Sequence, residues 1–334
     1  MASSNTRYGI LDPLRFFAAI AVIFYHYSIH FYGSESALYQ VSKYGYLGVD
    51  FFFVLSGFVI MASAQNRSAF EFAVARALRI YPAFIICLLL TIAALTLVGG
   101  QAIPLKDAIF NALIVNDYLG IKNIDGVYWT LQAELKFYGC IFILIFLGVL
   151  KKWQYWLSIW MTMAVMHFFI KQPFFMGWFI NPGYSFYFMG GVCAYLLTKE
   201  PKNILANAIF FVSLIFGFFC AKSQSQHFLI SVTEQERIVA GVAVVAIFSF
   251  FYLLSRGYFS LSSNKFLLAL GALSYPVYLL HNMAGKTFID ALSAKESLPF
   301  WIMVGITLVI LTSYLVVRVE EKVRFSLRGL IKVK

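Results

Sequence analysis

Charge is scarce in this sequence. Of its 334 residues only 12% are Asp, Glu, Lys or Arg, about half the roughly 25% of an ordinary soluble domain. Too few polar groups remain to cover a soluble surface, and disordered and coiled-coil chains need more charge still. Cysteine is also scarce. Cys87, Cys140, Cys193 and Cys220 all stand in apolar stretches without a CxxC spacing; they read as buried thiols, and a disulfide scaffold is excluded. No GxGxxG, Walker loop, HExxH or GxSxG occurs, so those chemistries have no support in the sequence.

Apolar mass fills the place of charge. The chain is 61% hydrophobic and 19% aromatic, with a mean hydropathy of +0.80. Apolar runs lie near 13–32, 45–64, 79–98, 130–150, 154–170, 182–198, 203–221, 237–255, 265–285 and 299–318. Each is about long enough to cross a bilayer. They must be helices, because an open sheet edge cannot sit in lipid, and they are too continuously apolar for barrel strands. The expected fold is all-α: a polytopic membrane helix bundle of about ten transmembrane helices. Ten spans put both termini on one side.

With the termini in the cytoplasm, Lys and Arg favour that side about two to one, and this bias supports the orientation. Arg7, Arg15, Arg76, Arg79, Lys151, Lys152, Lys332 and Lys334 are among the inner set, and Lys43, Lys106, Lys122, Lys171 and Lys295 among the outer. The net charge of +11 is thereby accounted for, with membrane lipids and not nucleic acid as the neighbours. The first run is long enough to span and has no processing site, so no cleavable signal is expected. One membrane domain over 1–334 is expected, with cytoplasmic tails at about 1–12 and 319–334 and no appended soluble domain. In the outer loop 99–129, the stretch IFNALIV at 109–115 is too short to span and either re-enters or lies on the surface.

Ionisable groups inside spans are costly and usually face a cavity or a partner. In the first run Arg15 and His26 are eleven residues apart, which returns them to nearly one helix face about 16 Å apart along the axis. Arg15 falls at the cytoplasmic mouth and His26 in the outer half. Asp50, Glu134 and His281 are expected at about the depth of His26, so the four suggest one wet cavity or hydrogen-bonded cluster. Arg76 and Arg79 join Arg15 at the inner mouth, where grouped guanidiniums suit phosphate. Blander readings stand beside these: a packed histidine for His26 and for His281, a pair with Lys136 or Arg79 for Glu134, a helix cap for Asp50, and lipid-facing topology charges for Arg76 and Arg79. His30 and His167 have only the bland reading.

The segments LDPLRFFAAIAVIFYHY (11–27), GYLGVDFFFVLSGFVI (45–60), RALRIYP (76–82), YWTLQAELKFY (128–138) and LGALSYPVYLLH (270–281), in this order, resemble the acyltransferase family 3 membrane proteins. The resemblance runs from about residue 7 to 318. It implies transfer of an acyl group, usually acetyl, from acetyl-CoA to a hydroxyl of a surface glycan or a lipid-linked sugar precursor, in the bacterial cytoplasmic (inner) membrane, without a metal. The family's arginine falls on Arg15, its essential histidine on His26, its basic motif on Arg76, Arg79 and Pro82, and its tryptophan–glutamate segment on Trp129 and Glu134. Relatives often have two adjacent acidic residues there. Here Ala133 and Leu135 flank Glu134, so one carboxylate is available.

The expected division of labour gives His26 the base role, or that of a covalent acyl carrier. Glu134 would orient the imidazole, bind sugar hydroxyls or stabilise an imidazolium. Arg15, Arg76 and Arg79 would hold donor phosphates, and Asp50, Trp129 and His281 would face the acceptor. The rivals are a secondary transporter or polysaccharide exporter, which would favour internal repeats, and a lipid-linked-sugar glycosyltransferase. For the latter the early outer loop 33–44 offers only Glu35.

Overall fold

The computed structural model describes residues 8–170, 183–259, 261–293 and 297–331, and among these there is no strand. The helices are α1 (Leu11–Phe31), α2 (Ala37–Ser42), α3 (Gly48–Ala64), α4 (Ala69–Ala93), α5 (Leu105–Ala112), α6 (Trp129–Phe146), α7 (Trp153–Ile170), α8 (Ser185–Lys199), α9 (Ile204–Phe228), α10 (Glu234–Ser255), α11 (Lys265–Leu280), α12 (Met283–Leu292) and α13 (Leu298–Ile331). Among the described residues, seven helical stretches are long and apolar enough to cross a membrane; α11 and α12, bent by 65° at their junction, add an eighth if they form one broken span. Each expected apolar run contains a helix, yet two fall short of that standard. Helix α8 has 15 residues, about 22 Å of helix against a hydrocarbon core of about 30 Å. Helix α7 interrupts its apolar run with Gln154, Ser158 and His167. Residue 182, where the sixth run was expected to begin, lies outside the described residues, as do Arg7, Lys171, Lys295, Lys332 and Lys334 of the charge bias.

Several boundaries differ from the apolar runs, for identifiable reasons. Helix α4 starts at Ala69, not 79, because Ser68 and Glu71 form a reciprocal capping box. Arg76 and Arg79 therefore stand three apart on one helical face. The run 265–285 is broken after His281. Helix α13 does not stop at 318 but continues as 34 residues to Ile331, so the described part of the expected tail is helical. Arg324, 3.3 Å from Glu320 four residues back, supports that extension. IFNALIV does not form one unit: α5 ends at Ala112 and Ile114 adopts a left-handed φ of 57°. Cys140 is half-buried where burial was expected, and Cys87, Cys193 and Cys220 are buried.

The bundle is held by close helix approach and aromatic filling. Helix α3 packs against α8, and a Cβ on Gly57 or Gly191 would overlap the facing carbonyls of Phe188 and Val54. Without a hydrophobic difference between lipid and protein, small residues that let backbones meet supply the packing energy. Phe58, Tyr187, Phe188, Phe210, Phe248 and Phe251 fill the adjoining core. Helix α1 packs against α11, with Gly271 set close to the Asp12 side chain. That pairing brings His26 of α1 and His281, which caps the end of α11, together.

Candidate active site

One continuous helix, α1, carries both Arg15 and His26. Each serves a different cavity.

At one cavity, on the side expected from the charge bias to be outer, His26 Nδ1 lies 2.8 Å from His281 Nε2, and the two rings stack at 5.0 Å between centroids. His281 Nδ1 lies 2.7 Å from the carbonyl oxygen of Tyr278. A carbonyl can only accept, so His281 Nδ1 carries the proton and donates. The Nε2 of a neutral His281 is then bare and must accept from His26 Nδ1–H. By elimination, the lone pair of a neutral His26 is on Nε2. The arrangement is anchored by Tyr27 Oη, which donates to the backbone oxygen of His281 at 2.9 Å. His281 is fully buried. His26 is half-buried and lines a cavity of about 190 Å³ together with Tyr25, Tyr46, Trp129, Tyr278 and Asn282.

The other cavity, on the side expected to be inner, is about 150 Å³ and is lined by Arg15, Arg76, Arg79, Glu134, Ser56 and Tyr138 over an apolar wall that includes Phe52, Val59 and Ile80. Arg15 Nη1 is 3.3 Å from Asp12 Oδ1. Arg79 Nη1 is 3.9 Å from Glu320 Oε1. Arg76 sits over the rings of Phe72 and Tyr138 at 5.9 and 6.0 Å, and its Nε is buried without a hydrogen-bond partner among the described residues. Three guanidiniums around one cavity are able to receive an anion together. Glu134 Oε1 accepts from Ser56 Oγ at 2.7 Å and from Tyr138 Oη. Val49 and Tyr278 line both cavities, so the two are neighbours across a thin partition.

The site residues expected from sequence therefore divide into groups. Arg15, Arg76 and Arg79 come together, as do His26, His281 and Trp129. Glu134 does not share the histidines' cavity: α6 delivers Trp129 to the outer cavity and, five residues on, Glu134 to the inner one. The neighbour of His26 is His281, not Glu134. Neither bland pairing of Glu134 forms: Lys136 turns to the Tyr118 ring at 5.4 Å, and Arg79 meets Glu320. Asp50 is buried in the first turn of α3, lines neither cavity and makes no side-chain cap bond. The site also uses residues that the sequence did not point to. Tyr138 had a signal, standing four residues after Glu134 and so on its face. Tyr278, Ser56 and Glu320 had none, since each reaches the site only through helix packing. Among the described residues no group of three or more His, Cys, Asp or Glu could hold a metal ion.

Comparison with known proteins found relatives that are acyltransferases by name. Acyltransferase MdmB of Streptomyces mycarofaciens is 31% identical over 143 residues, covering 38% of this chain and 36% of that protein. O-acetyltransferase OatA of Staphylococcus aureus is 31% identical over 151 residues, covering 38% of this chain and 23% of the relative. Nodulation protein 10 of Rhizobium leguminosarum bv. viciae is 28% identical over 167 residues, 43% of this chain and 45% of the relative. The chain thus matches less than half the length of each of these relatives, and no solved structure matches it. The acyltransferase domain model, by contrast, matches residues 8–318, nearly end to end. By that match, this multi-helix chain belongs to acyltransferase family 3.

Proposed function

We propose that this protein is a multi-pass O-acyltransferase of the bacterial cytoplasmic membrane. In this reading it moves an acetyl group from cytoplasmic acetyl-CoA to a hydroxyl of a cell-surface polysaccharide or its lipid-linked precursor. Ten spans, with both termini cytoplasmic, are part of the proposal: α7, α8 and the bent α11–α12 pair complete the count. The observation that carries the reading is the bond chain from the Tyr278 carbonyl through His281 to His26, which leaves one imidazole lone pair at the outer cavity.

Arg15, Arg76 and Arg79 hold the donor's phosphates at the inner cavity. The arm bearing the thioester then runs along α1 and past Val49 and Tyr278, within the ~16 Å that separates Arg15 from His26. The acceptor enters from the other side, beside Trp129. His26 Nε2 takes the proton of the acceptor hydroxyl while its oxygen attacks the thioester carbonyl. The carbon–sulfur bond breaks, the ester forms, and the proton passes from His26 to the departing thiolate. A covalent variant, in which Nε2 first takes the acyl group, needs the same lone pair. His281 holds the ring and its tautomer and shares the positive charge that develops on His26. Glu134, held by Ser56 and Tyr138, belongs to the donor side and accepts from N–H groups of the arm. Asp50 has no substrate contact in this reading.

The test is transfer of label from [¹⁴C]acetyl-CoA to glycan in isolated membranes, run against succinyl-CoA to separate donors. Acyl label in alkali-labile glycan esters is expected. Movement of unlabelled glycan across the membrane with no ester formed would instead make the protein a transporter. Labelling of cysteines introduced at Lys152, Lys199 and Lys122 from either side of the membrane tests the topology: the first two are expected inside and the third outside.

A further inference from the structure

We infer that Asp125 is a positioning residue for the histidine pair: its buried carboxylate clasps the α11–α12 break and so holds His281 against His26. Asp125 is fully buried. Its Oδ1 accepts from the backbone N–H of Val127 at 3.1 Å and from Asn282 Nδ2 at 2.7 Å, and its Oδ2 accepts from the backbone N–H of Met283 at 2.8 Å. Asn282 and Met283 are the two residues that follow His281, at the point where the chain bends by 65°.

Such a break frees backbone groups that a continuous helix would have paired. The Met283 N–H is one of them, at the first turn of α12, where a negative charge is also favoured by the helix dipole. The carboxylate meets that need and ties the break to the loop that leads into α6. That loop is itself braced. Asn111 Nδ2 donates to the Lys122 carbonyl at 3.1 Å, and Asn111 Oδ1 accepts from the Ile124 N–H at 3.0 Å. His281 is thereby held on both sides, by Tyr27 of α1 on its own carbonyl and by the clasp just beyond it. Asp125 lines neither cavity, whereas Gly126, Val127 and Asn282, which it joins, all line the outer one. Its influence is expected at the histidines and not at the arginines.

The test uses the full chain purified in lipid nanodiscs. In Asp125→Asn the amide keeps one oxygen for Val127 and Asn282 but turns an NH₂ toward the Met283 N–H, so the hold on α12 is lost. The expected result is a fall in kcat of about 10–10²-fold with donor KM nearly unchanged and partial recovery in Asp125→Glu. That kinetic arm rests on the acyl-transfer reading. An independent arm measures carbethoxylation of His26 by diethyl pyrocarbonate, read by peptide mass spectrometry with exposed His227 as reference. His26 is expected to react severalfold more slowly, relative to His227, in Asp125→Asn. Wild-type kcat and wild-type His26 reactivity in the folded variant would overturn the inference, as would a loss confined to folded yield. If Asp125→Asn does not fold, Asn282→Ala removes one arm of the clasp; a smaller loss in the same direction supports it, and wild-type behaviour overturns it. If the wild type transfers no acyl group yet the His26 reactivity still depends on Asp125, the clasp stands and the function falls.

Discussion

The two cavities share a wall but are built in opposite ways. At the inner one the cations are loosely held. Arg15 and Arg79 each meet a carboxylate through a single long contact, of 3.3 and 3.9 Å, and the Nε of Arg76 has no partner among the described residues. At the outer one three of the four imidazole nitrogens are committed by the Tyr278–His281–His26 chain. A site for a polyanion that arrives and departs needs donors the protein has not saturated. A site for proton transfer needs one nitrogen whose protonation is fixed by all the others. In the proposed reading, recognition and chemistry therefore occupy separate rooms, with α1 running through both.

The sharpest way to break this division is His26→Ala. It should lower acyl transfer by about 10²–10⁴-fold and leave binding of CoA to the purified protein as it was; measurable transfer near the wild-type rate would remove the base from the outer cavity. His281→Phe comes next. It keeps a ring but gives His26 Nδ1 no acceptor, and kcat is expected to fall about 10–10²-fold, the usual cost of losing an outer partner, with donor KM steady. Arg79→Ala should do the reverse. Loss of a charge-assisted phosphate contact of about 1.5–3 kcal/mol raises donor KM roughly 10–10²-fold, with little change in kcat under saturating donor. A fall in kcat instead would merge the two rooms. Glu134→Gln is the mildest. The amide oxygen still accepts from Ser56 or Tyr138, so a change of about 1 kcal/mol, roughly fivefold in donor KM, is expected. An effect on kcat as large as that of His281→Phe would return Glu134 to the histidines.

That last pair of outcomes touches what sequence reading expected. Reckoning depth along each helix put Glu134 level with His26, and in the structure they belong to different cavities. Depth is a one-dimensional coordinate. It counts residues from the membrane edge but does not say which way a helix face turns, nor where α6 lies relative to α1. His281 shows the same gap from the other side. It was expected beside the acceptor, and its ring is instead fully buried behind His26. Arg15 and His26 stand on a single helix as the apolar run placed them, because rise along one helix is known before folding, and each lines a different cavity. Arg76 and Arg79 were recognised for the same reason, although the start of their helix was set too late, since the capping box at Ser68 and Glu71 lies outside the apolar run.

By itself the sequence determined that this chain must live in lipid, that its structure must be helical, and that Arg15 and His26 lie along one rod at a known spacing. Those conclusions follow from the cost of unpaired backbone in hydrocarbon and from a fixed rise per residue, which are local quantities. Tertiary structure decided which helix meets α1: α11 brings His281, the clasp at Asp125 sets the bend beyond it, and the last helix carries Glu320 to Arg79. Those contacts join residues far apart in the chain, and only the packing of glycines and aromatics between helices fixes where each one falls.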